Sequence, residues 1–223
     1  MPTGANSKKK YTYVWVSAII LIFGIFAVYE ISKRLKDGTV VENDRMSIPN
    51  LGKEVGYVIN EGKKRKVPAF SFRNQDSVLI SQNDYLGKVY VVDFFFTTCP
   101  TICPIMTKNL VEIQNTFSDY EDFGVASFTI NPRYDTPAVL REYALKNGVT
   151  DKDWNFLTGE RDSIYQLAQQ GFYVPVTEDE TAPGGFEHSG MFALIDKKGN
   201  IRSREDSFGN PLIYYRVTIT EKQ

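Results

Sequence analysis

The chain has 223 residues, 42% hydrophobic and 13% aromatic, which is enough for one sizeable core and an appendage. Its formal charge of −1 excludes a global electrostatic pull towards nucleic acid or an anionic membrane. It shows no Gly-rich phosphate loop of either common type, and no repeat at a period of about 20 to 50 residues.

The chain opens on an uncharged stretch, Tyr11 to Tyr29 (YTYVWVSAIILIFGIFAVY). As a helix with a rise of about 1.5 Å per residue it spans about 28 Å, close to the thickness of a bilayer core. Tyr11, Tyr13, Trp15 and Tyr29 sit near its ends, where amphipathic rings favour headgroups. An uncleaved anchor is expected rather than a signal peptide. The apolar run is long, and Glu30-Ile31-Ser32-Lys33-Arg34 offers no small-residue cleavage site. Lys8, Lys9 and Lys10 favour a cytoplasmic N-terminus, although Lys33, Arg34 and Lys36 flank the other side. The expected organisation is a cytoplasmic segment over 1–10, a transmembrane anchor over 11–29, a tether over 30–47 and a folded domain over 48–223. That domain lies on the periplasmic side of the cytoplasmic membrane.

Ile48 to Val67 reads as an early hairpin or packed loop, with EGKKRK (61–66) a solvated segment. AFSFRN and SVLIS then read as short strands. KVYVVDFFF (88–96) is nearly continuous in apolar residues, as a strand buried on both faces requires. Met106, Leu110, Ile113 and Phe117 recur at helical spacing. GVASFTI (124–130) is the next buried strand. Thr136 followed by Pro137 marks a helix start, with Leu140, Tyr143 and Ala144 facing inward and Gly148 ending it. WNFLTG reads as a strand. Asp162 or Ser163 opens a further helix, stopped by Gly171. SGMFALID, the turn KKGN and IRSRED read as a β-hairpin. FGNPLIYYRVTITEKQ is too short and too β-branched for a helix. The alternation β-α-β-α-β-α predicts an α/β domain, a central mixed sheet with flanking helices of thioredoxin-like arrangement.

The chemistry concentrates in FFFTTCPTICPIMTKN (94–109), which holds both cysteines of the chain, Cys99 and Cys103. The pair sits at the carboxyl end of a central strand, where open α/β sheets place their sites. A structural disulfide closing so short a loop removes little chain entropy. A helix N-terminus stabilises thiolates, and a thiolate is both nucleophile and metal ligand. At i, i+4 in a helix the Cβ atoms are about 5–6 Å apart, wider than the roughly 3.5–4.5 Å of a disulfide, which leaves room for a metal. The single histidine, His188, lies between the flexible-looking TEDETAPGG and a buried strand. Two thiolates and one imidazole form a soft site. It lacks the fourth Cys or His of structural zinc, and so suits one copper, Cu(I) or Cu(II).

Three segments together resemble the SCO/SenC family. They are LGKVYVVDFFFTTCPTICP (86–104), TINPRYDTP (129–137) and EHSGMFALIDKKGN (187–200). The resemblance implies a thioredoxin-like fold holding one copper on Cys99, Cys103 and His188. It implies a metallochaperone or thiol reductant, not an enzyme in the usual sense, serving the dinuclear copper site of cytochrome c oxidase subunit II. A copper donor protein is an expected further partner, and nucleic acid is not. The chain departs from the family pattern at Asn131, Tyr134 and Glu187. The alternative is a metal-independent thiol-disulfide oxidoreductase using Cys99 and Cys103 as its redox pair.

Overall fold

The computed structural model describes residues 7–36, 55–188, 190–205 and 211–215. The chain divides into two units, Met1–Ser47 and Ile48–Gln223.

The first unit contains one helix, α1 (Ser7–Lys36). Its large apolar side chains from Val14 to Tyr29 are exposed on every side, Trp15 by 70% and Phe23 by 71%. Among the described residues no helix is long and apolar enough to cross a membrane. The described side chains of α1 run only from Val14 to Glu30. The helix continues to Lys36, so the first residues expected to form a tether are helical; residues 37–47 lie outside the described set.

The second unit starts with short strands: β1 (Gly56–Tyr57), β2 (Ile59–Asn60), β3 (Lys63–Lys64), β4 (Ser71–Arg73) and β5 (Leu79–Ser81). Then come β6 (Val89–Phe95), α2 (Cys103–Thr116), β7 (Phe123–Thr129), α3 (Pro137–Lys146), β8 (Trp154–Leu157) and α4 (Arg161–Gln166). The chain continues with β9 (Val176–Glu178), β10 (Phe186–His188), β11 (Phe192–Ile195), β12 (Arg202–Glu205), β13 (Pro211–Leu212) and β14 (Tyr214–Tyr215). The central sheet has the order β14-β11-β6-β7-β8. β6, β7 and β8 are parallel, with Val91 opposite Val125 and Val125 opposite Trp154. β11 runs antiparallel to β6, and β14 antiparallel to β11. The mixed sheet agrees with the periodicity, because β6 and β7 are buried on both faces.

Alternation along β6 sends neighbouring rings to opposite faces. Phe94 packs on Phe128 and Phe172, at 5.4 and 5.6 Å between centroids. Phe95 packs on Phe156 and on Tyr143 of α3, at 5.4 and 5.5 Å. The Tyr143 hydroxyl pairs with Thr107 of α2 at 2.8 Å, so α2 and α3 share that face. α2 buries Met106 and Leu110, as its spacing predicts, but ends at Thr116 and leaves Phe117 41% exposed. α3 begins as expected, with the Thr136 hydroxyl accepting from the Val139 N–H.

Three expectations need correction, and a fourth, the early hairpin, is found. α4 is capped by Glu160, whose carboxylate accepts from the N–H groups of Asp162 and Ser163 at 3.0 and 2.7 Å, so the helix starts at Arg161. A carboxylate at that position also meets the positive end of the helix. The basic segment is only partly solvated: Arg65 donates to the Gly171 carbonyl and stacks on Tyr173 at 4.3 Å. β11 and β12 form no extended hairpin: β6 lines one edge of β11, and β14 takes the other at Phe192 and Ala193. Only the Ile195–Ile201 bridge joins them, and β12 pairs with β1 and β13. Within Ile48–Val67 the hairpin is β2–β3, turning at Glu61 and Gly62 with φ of 49° and 74°. Residues 48–54 and 216–223 lie outside the described set.

Candidate metal centre

β6 ends at Phe95, and a turn over 96–102 leads into α2, whose first residue is Cys103. Pro104 follows at a position that needs no intrahelical N–H bond. The Cys99 N–H donates to the Phe96 carbonyl at 3.2 Å, and the Cys99 sulfur lies 3.6 Å from the Thr101 hydroxyl oxygen. Cys99 is 6% exposed and Cys103 1%, and no disulfide joins them. The helix N-terminus is expected to lower their pKa values. Instead the Cys103 thiol is pushed up, first by its hydrogen bond with the Cys99 side chain and then by burial; a Phe96 backbone hydrogen bond opposes this. A hydrogen-bonding thiol neighbour and burial both favour the neutral thiol over the thiolate.

The turn is tied to the sheet by Asp135, a fully buried carboxylate. It accepts from the Thr97 N–H at 3.1 Å and from the hydroxyls of Thr97 and Thr129. It therefore joins the ends of β6 and β7 just before the Thr136 cap. Burial raises the Asp135 pKa, and these hydrogen bonds oppose the rise. Asn131 acts here through its backbone, donating to the Thr129 hydroxyl at 3.0 Å and accepting from Tyr134 and Asp135. Tyr134 is 56% exposed. Asp135→Ala removes the acceptor for a buried amide and should cost about 2–3 kcal/mol in urea denaturation, with Asp135→Asn recovering most of it.

Sequence reasoning missed the roles of both Asp135 and Asp93. The one visible signal for Asp93 was a lone charge inside an apolar strand. Asp93 is 2% exposed and accepts from the Ser127 hydroxyl at 2.5 Å; Ser127 in turn accepts from the Trp154 indole N–H at 3.0 Å. Burial pushes its pKa up to about 7.

His188 lies on β10, opposite Val176 of β9. The connecting loop is braced internally: the Asp179 carboxylate accepts from the Thr181 N–H and hydroxyl, and the Asp179 N–H donates to the Gly185 carbonyl. The loop meets the cysteine turn on both sides of His188. The Phe186 ring lies 5.0 Å from Phe96. A Cβ on Gly184 would be 2.8 Å from the Phe96 ring and 3.1 Å from Pro100, and one on Gly190 would be 2.7 Å from Ile102. The fold thus carries this backbone across the 85 residues separating Cys103 from His188 (188 minus 103). Glu187 and the His188 side chain are outside the described side chains, and among the described residues no three His, Cys, Asp or Glu side chains form a cluster. Two buried sulfurs fit one soft ion.

A parallel sheet core with an antiparallel flank, and two thiols where the central strand enters a helix, defines a thioredoxin-like α/β domain. The SCO1/SenC family model matches residues 59–215, and the chain belongs to that family. A SCO1 homologue of Bacillus subtilis is 31% identical over 148 residues, covering 66% of this chain and 76% of its own. A putative copper-binding protein of Stutzerimonas stutzeri is 28% identical over 147 residues, covering 63% and 69%. The crystal structure of a SCO1/SenC family lipoprotein from Bacillus anthracis superposes with a TM-score of 0.59 at 32% identity, covering 64% of this chain and 85% of its own. BsSco, described with a disulfide switch and as a member of the Sco family of cytochrome c oxidase assembly proteins, gives 0.55 at 28% identity, covering 66% and 86%.

Proposed function

We propose that the protein is a membrane-anchored copper-binding assembly factor, holding one copper on Cys99, Cys103 and His188 for the dinuclear site of cytochrome c oxidase subunit II. The observation that carries this is the pair of buried thiols, with the Phe186 ring of β10 and the backbone at Gly184 and Gly190 packed against their turn. The oxidase assignment is supported by family membership and by the assembly role named for BsSco. The all-round apolar surface of α1 supports a single-pass anchor, and Lys8, Lys9 and Lys10 ahead of it favour a cytoplasmic N-terminus with the second unit on the periplasmic side. Copper is cargo, a soft ion with one-electron redox chemistry. The protein's part is to hold two sulfurs in a dry turn and to bring the His188 arm beside them. On anaerobic Cu(I) titration, the detergent-solubilised full chain should take up one equivalent, and Cys103→Ser should lose tight binding. Tight binding by Cys103→Ser at the wild-type level would sink this reading.

Two unbridged thiols four residues apart on one strand-to-helix turn favour a second reading, reduction of a partner's disulfide. Two electrons and two protons would pass from the dithiol to the substrate, leaving a Cys99–Cys103 disulfide. A reduction rate insensitive to a copper chelator is its expected mark.

A further inference from the structure

Phe96 touches both halves of the candidate site. Its carbonyl accepts from the Cys99 N–H, and its backbone also hydrogen-bonds the Cys103 sulfur. Its fully buried ring meets the other half, lying 5.0 Å from Phe186 with a tilt of 52°. Phe186 is two residues before His188. Gly184 lets the loop backbone settle on the same ring and on Pro100, where a Cβ would collide. On the far side, Gly190 leaves its backbone equally close to Ile102. Outside these contacts β10 is paired only with β9 among the described strands, and that hairpin is separate from the central sheet. No ladder hydrogen bond joins β10 itself to the cysteine turn; the β11–β6 ladder fixes the chain from Phe192 onward, and the Phe96–Phe186 ring contact is made at the arm itself.

We propose that Phe96 and Phe186 are positioning residues, a ring clasp that seats the β10 arm on the Cys99–Cys103 turn and so sets how tightly the third ligand is held. This rests on the copper reading above. Groups that orient metal ligands typically change affinity about 10- to 100-fold when removed. The clasp also covers the turn, because the loop it anchors lies on Pro100.

The test compares detergent-solubilised full chains: wild type, Phe186→Ala, Phe186→Leu, Phe186→Tyr, His188→Ala and the Phe186→Ala/His188→Ala double variant. Phe186→Ala should lower copper affinity about tenfold or more. Phe186→Leu, which keeps apolar volume without the ring, should also weaken binding, while Phe186→Tyr should retain it. In the His188→Ala background, Phe186→Ala should have no further effect, because the clasp acts through the arm. In the copper-free reduced proteins, Phe186→Ala should speed alkylation of Cys99 several-fold. Equal affinity losses with and without His188 overturn the clasp, as does an unchanged alkylation rate. If His188→Ala alone binds Cu(II) like wild type, the three-ligand reading fails instead, and alkylation decides the clasp.

Discussion

His188→Ala should lower Cu(II) affinity at least about a hundredfold, equivalent to about 2.7 kcal/mol, while Cu(I) affinity falls less. The difference follows from ligand chemistry. Two thiolates already suit Cu(I), whereas Cu(II) prefers nitrogen and oxygen donors in a wider shell. Phe186 and Gly190 hold the backbone around His188 against the turn that carries Cys99 and Cys103. Removing the imidazole leaves that backbone in place, so the loss reads the ligand and not a displaced loop. Competition against chelators selective for each oxidation state, with melting temperature as a folding control, measures the effect. Wild-type affinity for both ions in His188→Ala would remove the third ligand from the site.

Asp93→Asn should stabilise the protein increasingly as pH rises. The Asp93 carboxyl has its pKa raised from 3.8 to about 7 by burial, with the Ser127 hydroxyl opposing. Between those values the folded state binds more protons than the unfolded state, so wild-type stability falls as pH rises through that window. Below it the carboxyl is neutral in both states and the penalty vanishes. Above it the full cost is present, up to about 4 kcal/mol. Asparagine still accepts from Ser127 and carries no charge to desolvate. Its advantage in chemical denaturation should be about 2–3 kcal/mol larger near pH 8 than near pH 5. An advantage of the same size at both pH values would show that Asp93 does not hold its proton in the folded state.

Local patterning was enough for the framework. The apolar run ending at Phe96 fits a strand buried on both faces, and Thr136-Pro137 and Gly148 mark the ends of a helix through local cap chemistry. Both cysteines stand where that strand meets a helix, so half of the candidate site could be read directly. The errors came where side chains or strands competed for the same place. Glu160 caps α4 ahead of Asp162, and β14 takes the β11 edge at Phe192 and Ala193, so the link from β11 towards β12 is limited to the Ile195–Ile201 bridge.

By itself, the sequence determined an α/β domain with a lone thiol pair at a strand-to-helix turn, because hydrophobic periodicity and cap chemistry act over a few residues. Only the tertiary structure decided that the backbone at Phe186 and Gly190 lies on that turn, that Asp135 ties its start to β7, and that Asp93 is buried beneath the sheet's apolar cover. It also reversed the expected pKa shift of Cys103. The first three depend on residues brought together from distant parts of the chain; the Cys103 shift comes from its neighbour Cys99 and from burial that arises only when the sheet has closed around the turn.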